Sequence, residues 1–122
     1  MSRHVKDRLW DMIESCQKIL KYTDGLTFDQ FAQNDLVFDA VMRNFTILGE
    51  AAKNITDDLK SKYPQIPWSD IAGLRDILVH AYHRILFQVV WDNIQNDIPT
   101  LLENLKNLVR SEGWEEYFKE IL

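Results

Sequence analysis

Apolar residues recur at three- and four-residue spacings along most of this chain, and very little interrupts them. Val5, Leu9, Met12, Ile13, Cys16, Ile19 and Leu20 form one such stripe, the signature of an amphipathic helix with one buried face. That helix is expected to end near Gly25. Thr27, with Gln30 three residues on, has the form of a capping box. A second, longer helix is expected beyond it, with Val37, Ala40, Val41, Phe45, Leu48, Ala52, Ile55 and Leu59 on its inner face, running until Pro64 forbids continuation. Only 4 glycines and 3 prolines occur, and most of them fall between the periodic segments, as punctuation does in a helical protein.

The YPQIPW connection, with two prolines, is expected to be an ordered, extended crossover, and Ser69 is a good N-cap for a third helix. A bend is anticipated between Tyr82 and Leu86. Phe87, Val90, Trp91, Ile94, Ile98, Leu101, Leu102, Leu105, Leu108 and Val109 then make a fourth stripe. Within it Pro99 either kinks the helix or sits in the first turn of a new one. After Gly113, WEEYFKEIL reads as a short closing helix. The fold class expected is all-α, an up-and-down bundle of four to five helices forming a single domain over residues 1–122. Trp10, Trp68, Trp91 and Trp114 are expected mostly in its core or at an interface.

A chain of 122 residues buries roughly two thirds of the surface its unfolded form exposes, enough to fold without a metal or a disulfide. The single cysteine, Cys16, lies on the first apolar stripe and reads as a structural thiol. The start, MSRHVKDRLW, carries charges where a signal peptide has an apolar run. No stretch approaches the roughly 18 apolar residues of a membrane span. The expectation is a soluble protein of a reducing compartment, the cytoplasm. Lys and Arg number 14 against 19 Asp and Glu, a net charge of −5, so the overall field repels polyanions and any contact with one must be local.

The repertoire of catalytic motifs is nearly empty. There is no glycine-rich phosphate loop, no cysteine pair and no H-E-x-x-H. His80 and His83, three apart, lack the nearby acid or cysteine that would make a metal site of them. No cofactor is expected.

What remains is RDILVHAY, residues 75 to 82, where the charge balance reverses: Arg75, His80, His83 and Arg84 share ten residues with one acid, Asp76. On a helix Arg75 and Tyr82 lie about 20° apart and Asp76 and His80 about 40°, while Arg75 and His80 differ by about 140°. One straight helix does not aim Arg75 and His80 at one point. The arginine curls around, the helix begins irregularly near Gly73, or a second copy of the chain supplies the missing partner, as a two-fold dimer would. Such a cleft suits RNA cleavage. His80 can move protons near neutral pH, and Arg75 presents a charged fork to phosphate oxygens. Asp76 could orient the imidazole. Taken by themselves, an arginine and an aspartate on a helix are usually an ordinary solvated face, and a lone histidine beside Ala and Tyr is more often a packed or surface residue than a catalyst.

The series MRNFTILGEAAKNI, IPW, GLRDILVHAYHR and VVWDNIQNDIPTLLENL, in that order from about residue 5 to 110, resembles the HepT-like toxins of the HEPN superfamily. The resemblance implies a homodimeric, metal-independent endoribonuclease with Arg75 and His80 as the catalytic pair and Asp76 as a polar accessory. It also implies a toxin-antitoxin pair in which an MntA-like nucleotidyltransferase antitoxin transfers AMP to Tyr82. An adduct there would place a phosphate and a nucleoside beside Arg75, where RNA phosphate must bind. Arg43 and Glu50, seven residues apart on the second helix, share a face and are candidates for the cleft or an interface, as is Arg84. The competing expectation is a catalytically silent helical module that binds a nucleotidyltransferase or a nucleotide.

Overall fold

The computed structural model describes residues 4–80 and 83–122, without the side chains of residues 75, 77–80 and 83–85. Eight α-helices are described: α1 (Val5–Thr23), α2 (Phe28–Gln33), α3 (Asp35–Lys53), α4 (Asp57–Lys62), α5 (Trp68–His80), α6 (His83–Asp92), α7 (Ile98–Ser111) and α8 (Glu115–Phe118). A π-helical turn, Asn93–Asp97, joins α6 to α7. The described residues contain no strand.

Four long pieces make the all-α bundle: α1, α3, α5 and the rod formed by α6, the π turn and α7. α3 packs on both α1 and α5, and α7 closes against α1. Leu9, Met12, Ile13, Cys16 and Ile19 of α1 are completely buried, as are Val41, Leu48 and Ala52 of α3 and Leu105, Leu108 and Val109 of α7. These are the residues the three-four spacing selects, so hydrophobic burial along each stripe sets which way each helix faces.

The single long helix expected after Thr27 is instead three helices. Thr27 and Gln30 do form a reciprocal capping box, but it starts only α2, six residues long. Asn34 then accepts a hydrogen bond from the Val37 backbone N–H at 3.1 Å and opens α3. Thr56 does the same for Leu59 at 3.4 Å and opens α4. Short polar side chains that cap a backbone N–H favour a new helix start over continuation. α2 is held by Phe31, whose ring lies 5.3 Å from Trp91 and 5.6 Å from Phe38, linking α2 to α3 and α6.

The Tyr63–Pro67 connection is a compact turn, with the Ile66 N–H donating to the Tyr63 carbonyl. The Trp68 indole N–H donates to the same carbonyl at 3.0 Å. α5 therefore begins at Trp68, with Pro67 accepting the first helical bond from Ile71. Ser69, expected as the N-cap, lies inside the helix. Proline before the first turn suits this start, since the N–H it lacks would have had no partner.

Pro99 falls in the first turn of α7. It has no N–H to donate, and immediately before it Ile98 donates to the Asn93 carbonyl, a five-residue step. The rod widens where an α-type bond cannot form. The bend anticipated between Tyr82 and Leu86 begins on a residue outside the described ones; α5 is described to His80 and α6 is helical from His83.

The C-terminus folds back over α1. Trp10 stacks on Phe118 at 5.8 Å, and the Gln17 side chain donates to the Ile121 carbonyl at 2.6 Å.

Candidate active site

α5 carries the motif from Arg75 to His80 on a helix that begins seven residues earlier. The backbones of Arg75, Asp76 and His80 all lie within its span. The helix is not irregular at Gly73, so the 140° offset between Arg75 and His80 is that of regular helix geometry. The side chains of Arg75, His80 and Arg84, and the whole of Tyr82, are outside the described residues.

Asp76 is exposed and lines a groove of about 260 Å³ between α3 and α5, with Glu50, Lys53, Gly49, Ala72 and Gly73. Two residues far apart in sequence, Glu50 and Asp76, are thus brought to one groove. The reason is the packing of α3 on α5, which turns the outer shoulder of each helix toward the same channel. A Cβ built on Gly73 meets nothing within 4 Å. The glycine thus leaves the groove floor low, not permitting a close helix contact.

Arg43 is exposed two turns before Glu50 on α3 and is not among the described residues lining this groove. Glu50 also borders a channel between α1 and α3, with Arg8, Asp11, Lys18 and Asn44 among its walls. Asn44 is one of few buried polar residues, its amide satisfied by the Ala40 carbonyl at 2.8 Å.

Cys16 sits fully buried on α1. Burial pushes its thiol up to about 12, because an apolar surrounding disfavours the thiolate. It has no part in nucleophilic chemistry. Among the described residues no cluster of three or more His, Cys, Asp or Glu could hold a metal ion, and no described helix is long and apolar enough to cross a membrane.

A second groove was not anticipated from the sequence. It runs along the other flank of α5, between the start of that helix and the π turn with α7, and has a volume of about 360 Å³. Its sequence signal was the amide-rich run NIQND, residues 93 to 97, which the apolar periodicity around it obscured.

An all-α bundle bearing an R-x-x-x-x-H helix beside an acid-lined groove is the class of molecule these features define. The profile of the HepT-like ribonuclease family, "Ribonuclease HepT-like", matches residues 12–108, and the chain belongs to that family. A protein of Methanocaldococcus jannaschii named "Putative RNase MJ0127" is 35% identical over 115 residues, 93% of this chain and 95% of that one. "Probable ribonuclease HepT" of Thermococcus cleftensis is 38% identical over 108 residues, covering 88% of this chain and 98% of its own. No solved structure is a significant match.

Proposed function

We propose that this protein is a metal-independent endoribonuclease and the toxin of a toxin-antitoxin pair. The observation that carries the reading is the extent of the family match, residues 12–108, which spans α3, the whole of α5 and the Arg75–His80 spacing. His80 takes the proton from a ribose 2′-hydroxyl. The 2′-oxygen then attacks phosphorus, the bond to the 5′-oxygen breaks, and a proton returns to that leaving oxygen, giving a 2′,3′-cyclic phosphate and a free 5′-hydroxyl. Arg75 stabilises the charge on the phosphoryl oxygens.

Among the described residues lining the groove at Asp76, Lys53 is the one cation against two carboxylates, so phosphate needs the guanidinium of Arg75 to bind there. Two copies of α5 related by a two-fold axis would place one arginine opposite the other copy's histidine, which removes the 140° difficulty. Asp76, one turn before His80, orients the imidazole. In this reading an MntA-like nucleotidyltransferase antitoxin silences the enzyme by transferring AMP to Tyr82, and Arg84 and Arg43 offer flanking charge to RNA or to the antitoxin. The protein acts in the cytoplasm, where RNA and ATP are both available.

The test is incubation of unmodified protein with total RNA in EDTA, beside Arg75→Ala and His80→Ala, with the intact mass of each sample. Cleavage by the wild type alone supports the mechanism. No cleavage by a protein whose mass shows no adduct overturns it in favour of a silent binding module.

A further inference from the structure

The groove between the start of α5 and the π turn has the composition of a ligand site. Its floor is apolar: Ile71 and Leu74 from α5, Ile98 and Leu101 from α7. Its rim is amide and carboxylate: Gln65, Asn96 and Asn104, with Asp70 and Asp97. Among the described lining residues there is no Lys, Arg or His. Among the described residues, the amides of Gln65, Asn96 and Asn104 make no hydrogen bond to another residue. At about 360 Å³ the groove lies at the small end of ligand pockets, which run from roughly 300 to 1,000 Å³.

These properties select a ligand by exclusion. Two carboxylates with no facing cation among the described lining residues repel a phosphate. The apolar floor accepts the faces of a flat ring. Amides that both donate and accept can pair with a ring edge of alternating donors and acceptors, and a carboxylate accepts from an exocyclic amine. A nucleobase has all of these features, and unpaired RNA bases are splayed out and read in this way. The π turn contributes to the rim directly, since Asn96 and Asp97 belong to it, as such turns do at functional sites. The floor ends at Leu74, the residue before Arg75.

We propose that this groove is a base-recognition subsite that holds one unpaired, amine-bearing base of RNA next to the cleavage motif and so sets where the chain is cut. The identity of the ligand as RNA rests on the ribonuclease reading; the preference for an uncharged, amine-bearing ring rests on the groove alone. Adenine, cytosine and guanine carry the exocyclic amine that Asp70 or Asp97 requires, and uracil does not.

The two readings separate in one pair of experiments on the full chain. Adenosine, cytidine, guanosine and uridine, each free of phosphate, are titrated at millimolar concentration into 15N-labelled protein while the side-chain amide signals are followed. The amine-bearing nucleosides are expected to move the Asn96 and Asn104 signals, with uridine at least roughly tenfold weaker, which corresponds to about 1.4 kcal/mol. Asn96→Ala with Asn104→Ala should abolish the shift that the same nucleosides cause at the Gln65 side-chain amide, which also lines the groove; Asn96 is exposed on the rod and alanine favours helix there. In the second arm the double variant cleaves RNA with a flattened base preference. Nucleoside binding without RNA cleavage keeps the subsite and overturns the ribonuclease. Cleavage with no shift at these amides, or with shifts equal for all four nucleosides, overturns the subsite and leaves the ribonuclease.

Discussion

The Tyr63 hydroxyl donates a 2.7 Å hydrogen bond to Glu112, tying the end of α4 to the end of α7, and Lys62 reaches the same carboxylate at 2.8 Å. The contact clamps the turn that launches α5. Hydrogen bonds from Lys62 and then Tyr63 hold the Glu112 carboxyl below its usual range. A carboxyl whose pKa is lowered by folding stabilises the protein above its unfolded value, about 4.3, and that contribution disappears as the pH falls through the lowered folded value. Glu112→Gln should therefore be less stable than the wild type at pH 7, with the difference in melting temperature closing below about pH 4. A difference that stays constant across the titration would rule the linkage out. Tyr63→Phe should cost about 1.5 kcal/mol, the low end for a bond to a charged acceptor, measurable by urea denaturation at pH 7.

Glycine to alanine should have opposite signs at two positions. Gly113 sits at φ 73° after α7, a left-handed conformation in which a Cβ costs about 1–2 kcal/mol. Gly73 is helical, and a Cβ there meets nothing within 4 Å, so Gly73→Ala should stabilise by about 0.4–1 kcal/mol. Denaturant midpoints with an unchanged slope would establish both. A destabilised Gly73→Ala would show that the groove floor is occupied in the folded protein.

Cys16 should be inert in the native state. With its thiol pushed up to about 12, reaction with a disulfide reagent at pH 8 should proceed only through unfolding, at a rate independent of reagent concentration once closing is outrun. Labelling that still rises with reagent concentration when the reagent is in the range that outruns closing would contradict the burial. The raised value also gives the pH sense: the neutral buried thiol stabilises fully below its unfolded pKa near 8.5, and this is lost progressively at more alkaline pH.

For the proposed chemistry, His80→Ala should lower single-turnover RNA cleavage by about 10²–10⁴-fold, the range for a general acid-base group. Asp76→Asn, which keeps shape and removes charge, should reduce the rate less and move the pH profile. An unchanged profile with a reduced rate would mean that Asp76 does not act through the imidazole. Circular dichroism of each variant separates loss of activity from loss of fold.

Sequence periodicity located the buried faces of α1, α3 and α7 because burial of apolar area dominates the energetics of long helices. It did not locate the breaks at Asn34 and Thr56, where one side-chain oxygen competes with an apolar stripe that continues straight past it. The Thr27–Gln30 box was legible because both of its partners lie four residues or fewer apart. The meeting of Glu50 with Asp76, and the amide groove across α5, were not legible, since each depends on how two helices cross. The motif itself was visible as spacing, but not which wall it stands in.

The π turn also settles a conflict of rhythm within the last long rod. Val90, Ile94 and Ile98 are all buried, yet they are separated by two successive steps of four. In ordinary helix geometry each such step overshoots by about 40°, so the stripe would have drifted about 80° away from the core by Ile98. A turn with more residues per revolution takes up that drift, and the stripe resumes in phase at Leu101, Leu105 and Leu108. The same irregularity that Pro99 imposes is what lets one continuous rod keep facing the core from end to end.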